Sequence, residues 1–293
     1  MTTDLVKVPE DYNFLLNYEF LTRSDREIMH TVDGNRIFKL IRVADATVLT
    51  RISPRKRALQ VTYLLGVPSK EVRSHIKAYI REWFDLETDL TPFYELAATD
   101  RLLRDAVEKY KGYRIVGMPD LFESLCWAVI GQQINLGFAY TLKQRFIENF
   151  GTFIEHENRR HYLFPAPEIV QTLTDEDLIP LQFSRQKSKY VRLIAEAFCN
   201  GSISKDYIAS LSFFEARQKL MSIKGVGNWT ANYALMKTFR YKEAFPLEDA
   251  GVHNAIKKLR KMKEKPTIEQ VKRIFKKYKG WEAYATLYLW KTL

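Results

Sequence analysis

Apolar and polar positions alternate in short runs over the first third of the chain. Arg36–Val43, Thr47–Ile52 and Ala58–Leu65 are β-branched or aromatic-rich and are parted by polar or proline-bearing turns. A period of two sends successive side chains to opposite faces, so these runs predict an antiparallel sheet with one buried face. After Pro68 and Ser69 the period lengthens. Val72, Ile76, Tyr79, Ile80 and Trp83 share one stripe over Ser69–Trp83, which predicts a helix covering the sheet.

From about residue 91 helix starts recur and strand signals nearly vanish. Asp120-x-x-Glu123, Ser212-x-x-Glu215 and Thr267-x-x-Gln270 have the capping-box form, in which a cap oxygen and the third helical residue satisfy backbone donors reciprocally. Helices are predicted over Leu121–Ile134, Ala139–Asn149, Lys187–Asn200, Phe213–Met221, Trp229–Phe239 and Val271–Tyr278. The expected fold class is α+β: an N-terminal antiparallel-sheet domain over residues 1–90 and a largely all-α remainder over residues 91–293.

Composition narrows the function classes. With 46% hydrophobic and 28% charged residues in 293, the chain has the balance of a folded soluble protein. No window approaches 18 consecutive apolar residues and the first ten residues lack a signal-peptide pattern, so a cytoplasmic protein without a membrane partner is expected. Two cysteines and five scattered histidines exclude a disulfide scaffold, a zinc site and a four-cysteine iron–sulfur cluster. The excess of 46 Lys+Arg over 35 Asp+Glu points to a polyanionic partner. It is concentrated at one end: twelve Lys/Arg stand against three Glu between His253 and Leu293. Charge alone is equally consistent with solvated helix faces.

The densest chemical signal lies between Leu220 and Ile256. An apolar helix ends at Leu220-Met221-Ser222-Ile223, Lys224-Gly225-Val226-Gly227-Asn228 turns, and a second helix begins at Trp229-Thr230-Ala231. Two glycines let the backbone turn sharply, and the next helix N-terminus offers free N–H donors to a phosphate. An ordinary helix–helix turn is the alternative. Further on, Asp249 follows Phe245-Pro246-Leu247-Glu248 where it would N-cap a helix over Ala250–Lys261.

Leu220-x-x-Ile223-Lys224-Gly225-Val226-Gly227-x-Trp229-Thr230-Ala231, followed by Phe245-Pro246-Leu247-Glu248-Asp249, resembles the helix-hairpin-helix and aspartate loop of the base-excision DNA glycosylases. Arg114-x-x-Gly117, Ile130-Gly131-Gln132-Gln133, Phe164-Pro165-x-Pro167 and Tyr284-Ala285-x-Leu287-x-x-Trp290 resemble the AlkA type, the alkylbase (3-methyladenine II) glycosylases, over nearly the whole chain. The resemblance implies a central helical subdomain over 119–240 with the hairpin at 220–231, a second over 91–118 plus 241–293, and an active site between them.

It further implies a monofunctional enzyme that flips N-alkylated purines, of the 3-methyladenine and 7-methylguanine class, from double-stranded DNA and hydrolyses the N-glycosidic bond, leaving an abasic site in base excision repair. Asp249 is then the catalytic carboxylate, since an anion beside the sugar stabilises the cation that develops there. Glu248 is the less favoured neighbour. Bifunctional relatives place a lysine nucleophile where this chain has Trp229, so no lyase activity is expected. Trp229, Tyr233 and Trp290 form the base pocket, electron-rich rings suiting a cationic purine. Gly225, Gly227, Thr230, Gln132, Gln133, Lys224, Lys257 and Lys258 are expected at the DNA, with Gln133 at the position that fills the vacated stack. Backbone carbonyls of Met221, Ile223 and Val226 would hold a monovalent Na+ or K+; no cofactor is required, and a monomer is expected. Two departures stand out: Ala250 replaces the usual aromatic after the aspartate, and Gln133 replaces the apolar wedge of the AlkA type. The competing readings are a non-catalytic helix-hairpin-helix DNA-binding protein and an oxidised-purine glycosylase with lyase activity.

Overall fold

The computed structural model describes residues 2–293. Strands β1 (Thr3–Lys7), β2 (Thr31–Asp33), β3 (Arg36–Val43), β4 (Ala46–Arg55) and β5 (Ala58–Tyr63) form an antiparallel sheet in the order β1-β5-β4-β3-β2. Ile52 pairs with both Ile37 and Val61, so an apolar row crosses three strands. This face packs with α1 (Phe14–Leu21) and α2 (Lys70–Trp83), burying Ile76, Ile80 and Trp83 of α2. Ser69 caps α2 by accepting the Val72 N–H.

The opposite face corrects the expectation of a one-sided sheet. A second hairpin, β6 (Thr152–His156) and β7 (Arg159–Leu163), lies against it, and Leu163 and Ile154 pack on Leu40 and Leu49. Covering on both sides explains why Arg36–Val43 reads as a nearly continuous apolar run. The hairpin was missed because its turn, Glu157-Asn158, carries no glycine. Both residues nonetheless adopt positive φ (49° and 58°), as a two-residue type I′ turn requires.

The rest is helical: α3 (Thr91–Ala98), α4 (Arg104–Lys109), α5 (Leu121–Gly131), α6 (Leu136–Phe150), the short α7 (Pro167–Val170) and α8 (Asp175–Leu178), α9 (Arg185–Cys199), α10 (Lys205–Ala209), α11 (Phe213–Met221), α12 (Asn228–Ala234), α13 (Ala250–Leu259), α14 (Ile268–Phe275) and α15 (Glu282–Trp290). Every residue of α5 from Leu121 to Ile130 is buried, as befits a helix at the centre of a bundle. The capping boxes at Ser212 and Thr267 form in full. At Asp120 only half does: its carboxylate accepts the Glu123 N–H, but the Glu123 side chain turns to Lys143 instead. The helix expected over Trp229–Phe239 widens into a π-helical turn at Leu235–Phe239, from which Lys237 donates to the Val116 carbonyl.

Two devices join sheet and helices. Arg114, almost fully buried, donates to Asp11 and to the carbonyls of Asp85 and Thr88, while Gly117 lies so close to the Lys237 carbonyl that a Cβ would stand 2.6 Å from it. At the other, Lys143 of α6 bridges Glu27 (2.9 Å) and Glu123 (3.0 Å), all three side chains being under 10% exposed. Burial alone would raise the Glu27 carboxyl, but the adjacent Lys143 ammonium outweighs it and holds the group at about 2.

Two outcomes follow for stability. Replacing Lys143 by Ala leaves two buried carboxylates without their cation and is expected to cost about 3–5 kcal/mol, read as a lowered denaturation midpoint. Because the Glu27 carboxyl is depressed on folding, its contribution is complete above pH 4.5 and is lost as pH falls toward about 2. Glu27→Gln is therefore expected to flatten the acid limb of a melting-temperature profile; an unaltered limb contradicts the assignment.

Candidate active site

A cavity of about 1450 Å³ opens where five segments meet: the end of α1, the α5–α6 turn, the start of α12, the loop into α13 and the end of α15. The hairpin forms one wall. Gly225 has φ +99°, and a Cβ there would lie 2.3 Å from the Tyr190 ring, so both conformation and packing require glycine. Gly227 differs. It is N-cap of α12 with φ −83°, and the space beside its Cα is open.

Gln132 ties this wall to α5. Its amide donates to the Gly225 carbonyl and to the buried Thr230 hydroxyl, both at 3.0 Å. Gln133, next along, is exposed at the cavity rim with φ +57°.

Asp249 sits at the opposite wall. The turn Pro246–Asp249 closes through Asp249 N–H to the Pro246 carbonyl, and the side chain caps α13 by accepting the Val252 N–H at 2.9 Å. Two further donors converge on it. Trp290 Nε1 reaches Oδ1 at 2.7 Å and Trp229 Nε1 reaches Oδ2 at 3.0 Å. Both oxygens are thereby oriented by N–H groups from three different helices. The closeness depends on Gly251, where a Cβ would stand 2.9 Å from Asp249 Oδ1 and from Trp290 Cδ1. Glu248 points elsewhere, accepting from Asn228 Nδ2 at 3.0 and 3.1 Å. His253, one turn into α13, places its ring nitrogens 3.0 Å from the carbonyls of Leu247 and Pro266 and so anchors the loop.

Aromatic rings line the floor. Trp229 stacks on Tyr233 (5.2 Å between centroids, 20° apart), and the Tyr233 hydroxyl accepts the Trp127 indole N–H at 3.0 Å. Trp127 packs on Tyr140.

The other expected residues are spread more widely. Lys224 is exposed on the hairpin outside the cavity. Lys257 and Lys258 fall in the last turn of α13, whose first turn holds the cavity, and Lys258 donates to the Thr292 carbonyl. The structure thus brings Trp229, Tyr233, Trp290 and Asp249 together and leaves these lysines apart from them. The Ile223 carbonyl accepts the Val226 N–H at 3.0 Å. Among the described residues no group of three or more His, Cys, Asp or Glu could hold a metal ion, and no helix is long and apolar enough to cross a membrane. Sequence reasoning missed Gly251, Trp127 and Arg23. The first was indistinguishable from any helical glycine, and the others lie far along the chain.

The family profile described as HhH-GPD superfamily base excision DNA repair protein matches residues 126–280, and that of the 8-oxoguanine DNA glycosylase N-terminal domain matches residues 16–125. The DNA-3-methyladenine glycosylase of Bacillus subtilis (strain 168) is 40% identical over 293 residues, covering 99% of this chain and 96% of that protein. Among solved structures, a 3-methyladenine DNA glycosylase from Archaeoglobus fulgidus superposes with a TM-score of 0.85 at 22% identity, covering 98% of this chain and 97% of that one. The 8-oxoguanine glycosylase/lyase of Clostridium acetobutylicum, with DNA, gives 0.77 at 18%, covering 100% and 97%. One fold therefore serves both kinds of protein, and the choice between them rests on side chains.

The two hairpin glycines are expected to fail differently. Gly225→Ala lowers the melting temperature, because ring and backbone must both shift, whereas Gly227→Ala leaves folding intact and weakens duplex binding, checked by thermal melts beside fluorescence anisotropy. Gly251→Ala is expected to displace the Trp290 indole from Asp249 and to cut base release at least tenfold.

Proposed function

The chain belongs to the HhH-GPD superfamily of base excision DNA repair proteins and is a DNA glycosylase, and within that family we propose that it releases N-alkylated purines by hydrolysis alone. The observation that carries the reading is the Asp249 carboxylate, held by two indole N–H groups and a helix N-terminus at the wall of an aromatic cavity. A purine flipped from duplex DNA into that cavity meets the rings of Trp229 and Tyr233, and its deoxyribose lies toward Asp249. As the N-glycosidic bond lengthens, positive charge grows on the sugar, and a fixed anion beside it lowers the barrier without reorganising. The same carboxylate orients or deprotonates the attacking water. Alkylation at N3 or N7 already makes the base a good leaving group, so modest stabilisation suffices.

The alkylated class is supported by the Bacillus subtilis relative, whose name specifies 3-methyladenine, and by ring faces suited to a cationic base. Hydrolysis without lyase chemistry is supported by Trp229, whose indole serves Asp249 where a bifunctional enzyme needs an amine. The cavity's lysine among the described residues is Lys291, which is ion-paired with Glu19 at 2.7 Å. Lys237, pushed well down by burial, is directed at the Val116 carbonyl and does not line the cavity. Gln133 is read as the residue that fills the gap the flipped base leaves, a role supported by its exposure at the cavity rim, and it would repay part of the few kcal/mol that extrusion costs. A monovalent cation on the carbonyls of Met221, Ile223 and Val226 fits the hairpin, since each carbonyl has two lone pairs and only one of the Ile223 oxygen's is engaged. The enzyme is read as acting as a monomer.

Asp249→Asn removes the charge; its amide oxygen can still accept from Val252 N–H and the Trp290 indole, while its NH2 replaces the oxygen that accepts from Trp229. It is expected to abolish release of methylpurines from alkylated duplex DNA, read by chromatography, while duplex affinity persists. With the wild type, strands break only after alkali and borohydride traps no protein–DNA adduct. Undiminished release by the variant would leave a DNA-binding role for this loop, and a trapped adduct would establish lyase chemistry.

A further inference from the structure

Two cations, Arg23 and Lys291, line the base cavity without taking part in the chemistry above. Arg23 lies two residues beyond α1, in the N-terminal part of the chain, yet its side chain lines the same cavity as Trp229, Tyr233 and Asp249. Its guanidinium carbon stands 3.8 Å from the centroid of the Phe20 ring, and its Nε donates to the Tyr140 hydroxyl. Tyr140 is fixed in turn against Trp127, 4.8 Å between centroids, and the Trp127 N–H donates to Tyr233. The guanidinium is therefore oriented by one ring and one hydroxyl, and the hydroxyl belongs to the aromatic cluster that holds Trp229 and Tyr233.

Its other edge is free. Among the described residues no carboxylate pairs with Arg23, and its terminal nitrogens Nη1 and Nη2 donate to nothing. Lys291, the cavity's other cation, is by contrast neutralised by Glu19. A guanidinium only donates and is always charged. In a cavity from which a bound base displaces water, such an edge favours a ligand that offers an oxygen acceptor and disfavours one that offers another N–H donor, because a buried group without a partner costs more than an average bond gains.

The two bases of the proposed substrate class differ in this respect. 7-Methylguanine carries an oxygen at C6, whereas 3-methyladenine carries an amino group there. We propose that Arg23 is a specificity-determining residue: its free edge donates to the C6 oxygen of a 6-oxopurine, so that 7-methylguanine-type bases are favoured over 3-methyladenine-type bases. Stacking on Trp229 and Tyr233 admits both, and the arginine ranks them. The inference rests on the alkylpurine reading and adds to it a residue from outside the helix-hairpin-helix region.

The test is release of both bases from one preparation of dimethyl sulfate-treated duplex DNA, followed under single-turnover conditions with wild type, Arg23→Ala and Arg23→Lys. Arg23 is exposed and caps no helix, so the melting temperature is expected to hold, which a thermal melt verifies. For Arg23→Ala the ratio of 7-methylguanine to 3-methyladenine release is expected to fall about tenfold or more, the loss of one hydrogen bond to a charged group. Arg23→Lys, which keeps a donor but not the planar fork, is expected to fall between. Equal losses on both bases together with weaker binding to undamaged duplex would instead make Arg23 a phosphate contact, and an unchanged ratio in both variants would remove it from recognition; either result overturns the proposal. Release of neither base by the wild type would strike the alkylpurine reading itself, a failure distinct from these.

Discussion

The Asp249 carboxylate is the point on which three separately folded segments agree. Trp229 reaches it from 20 residues upstream and Trp290 from 41 downstream, each through an indole N–H, while the first turn of α13 supplies a backbone N–H. Charge-assisted hydrogen bonds of this kind are directional and about twice as strong as neutral ones, so together they fix where the carboxylate points. The constraint propagates outward. Trp290 can approach only because residue 251 has no side chain, and Trp229 is placed only because the hairpin turns where Gly225 allows it. The loop before Asp249 is held from behind by His253.

The sheet domain is part of the same construction. The buried Lys143 that bridges Glu27 and Glu123 lies 5.4 Å from the Trp127 ring, and Trp127 donates to Tyr233 on the cavity floor. Arg114 and Gly117 bind the chain after α4 to the loops around α2, which keeps α1 and its following residues against the helical bundle. Phe20 and Arg23 therefore form a wall of a cavity whose chemistry belongs to the helical part.

What the sequence revealed follows the range of the interactions involved. The strands around Ile37, Ile52 and Val61, the capping boxes at Ser212 and Thr267, the hairpin glycines and the cap at Asp249 are all set within a few residues of one another, and period and motif exposed them. The β6–β7 hairpin escaped because Glu157 and Asn158 turn without glycine. The split of the Asp120 box escaped because its third member answers to Lys143, twenty residues away. Read as stacking surfaces, Trp229 and Trp290 gave no sign that their N–H groups share one carboxylate, since ring content is a property of composition and direction is a property of the fold. Arg23 and Gly251 carried no local signal at all.

The proposed hydrolysis depends on two indole N–H groups that fix the direction of the Asp249 carboxylate. Trp290→Phe and Trp229→Phe each retain an aromatic ring and delete the N–H, so single-turnover release of a methylated purine, measured beside duplex affinity, isolates that bond. Loss of about 1.5–3 kcal/mol per hydrogen bond to a charged group corresponds to a rate lower by about ten- to a hundredfold, with affinity and melting temperature held. Wild-type rates in both variants would contradict the account, leaving the carboxylate positioned by the helix cap alone.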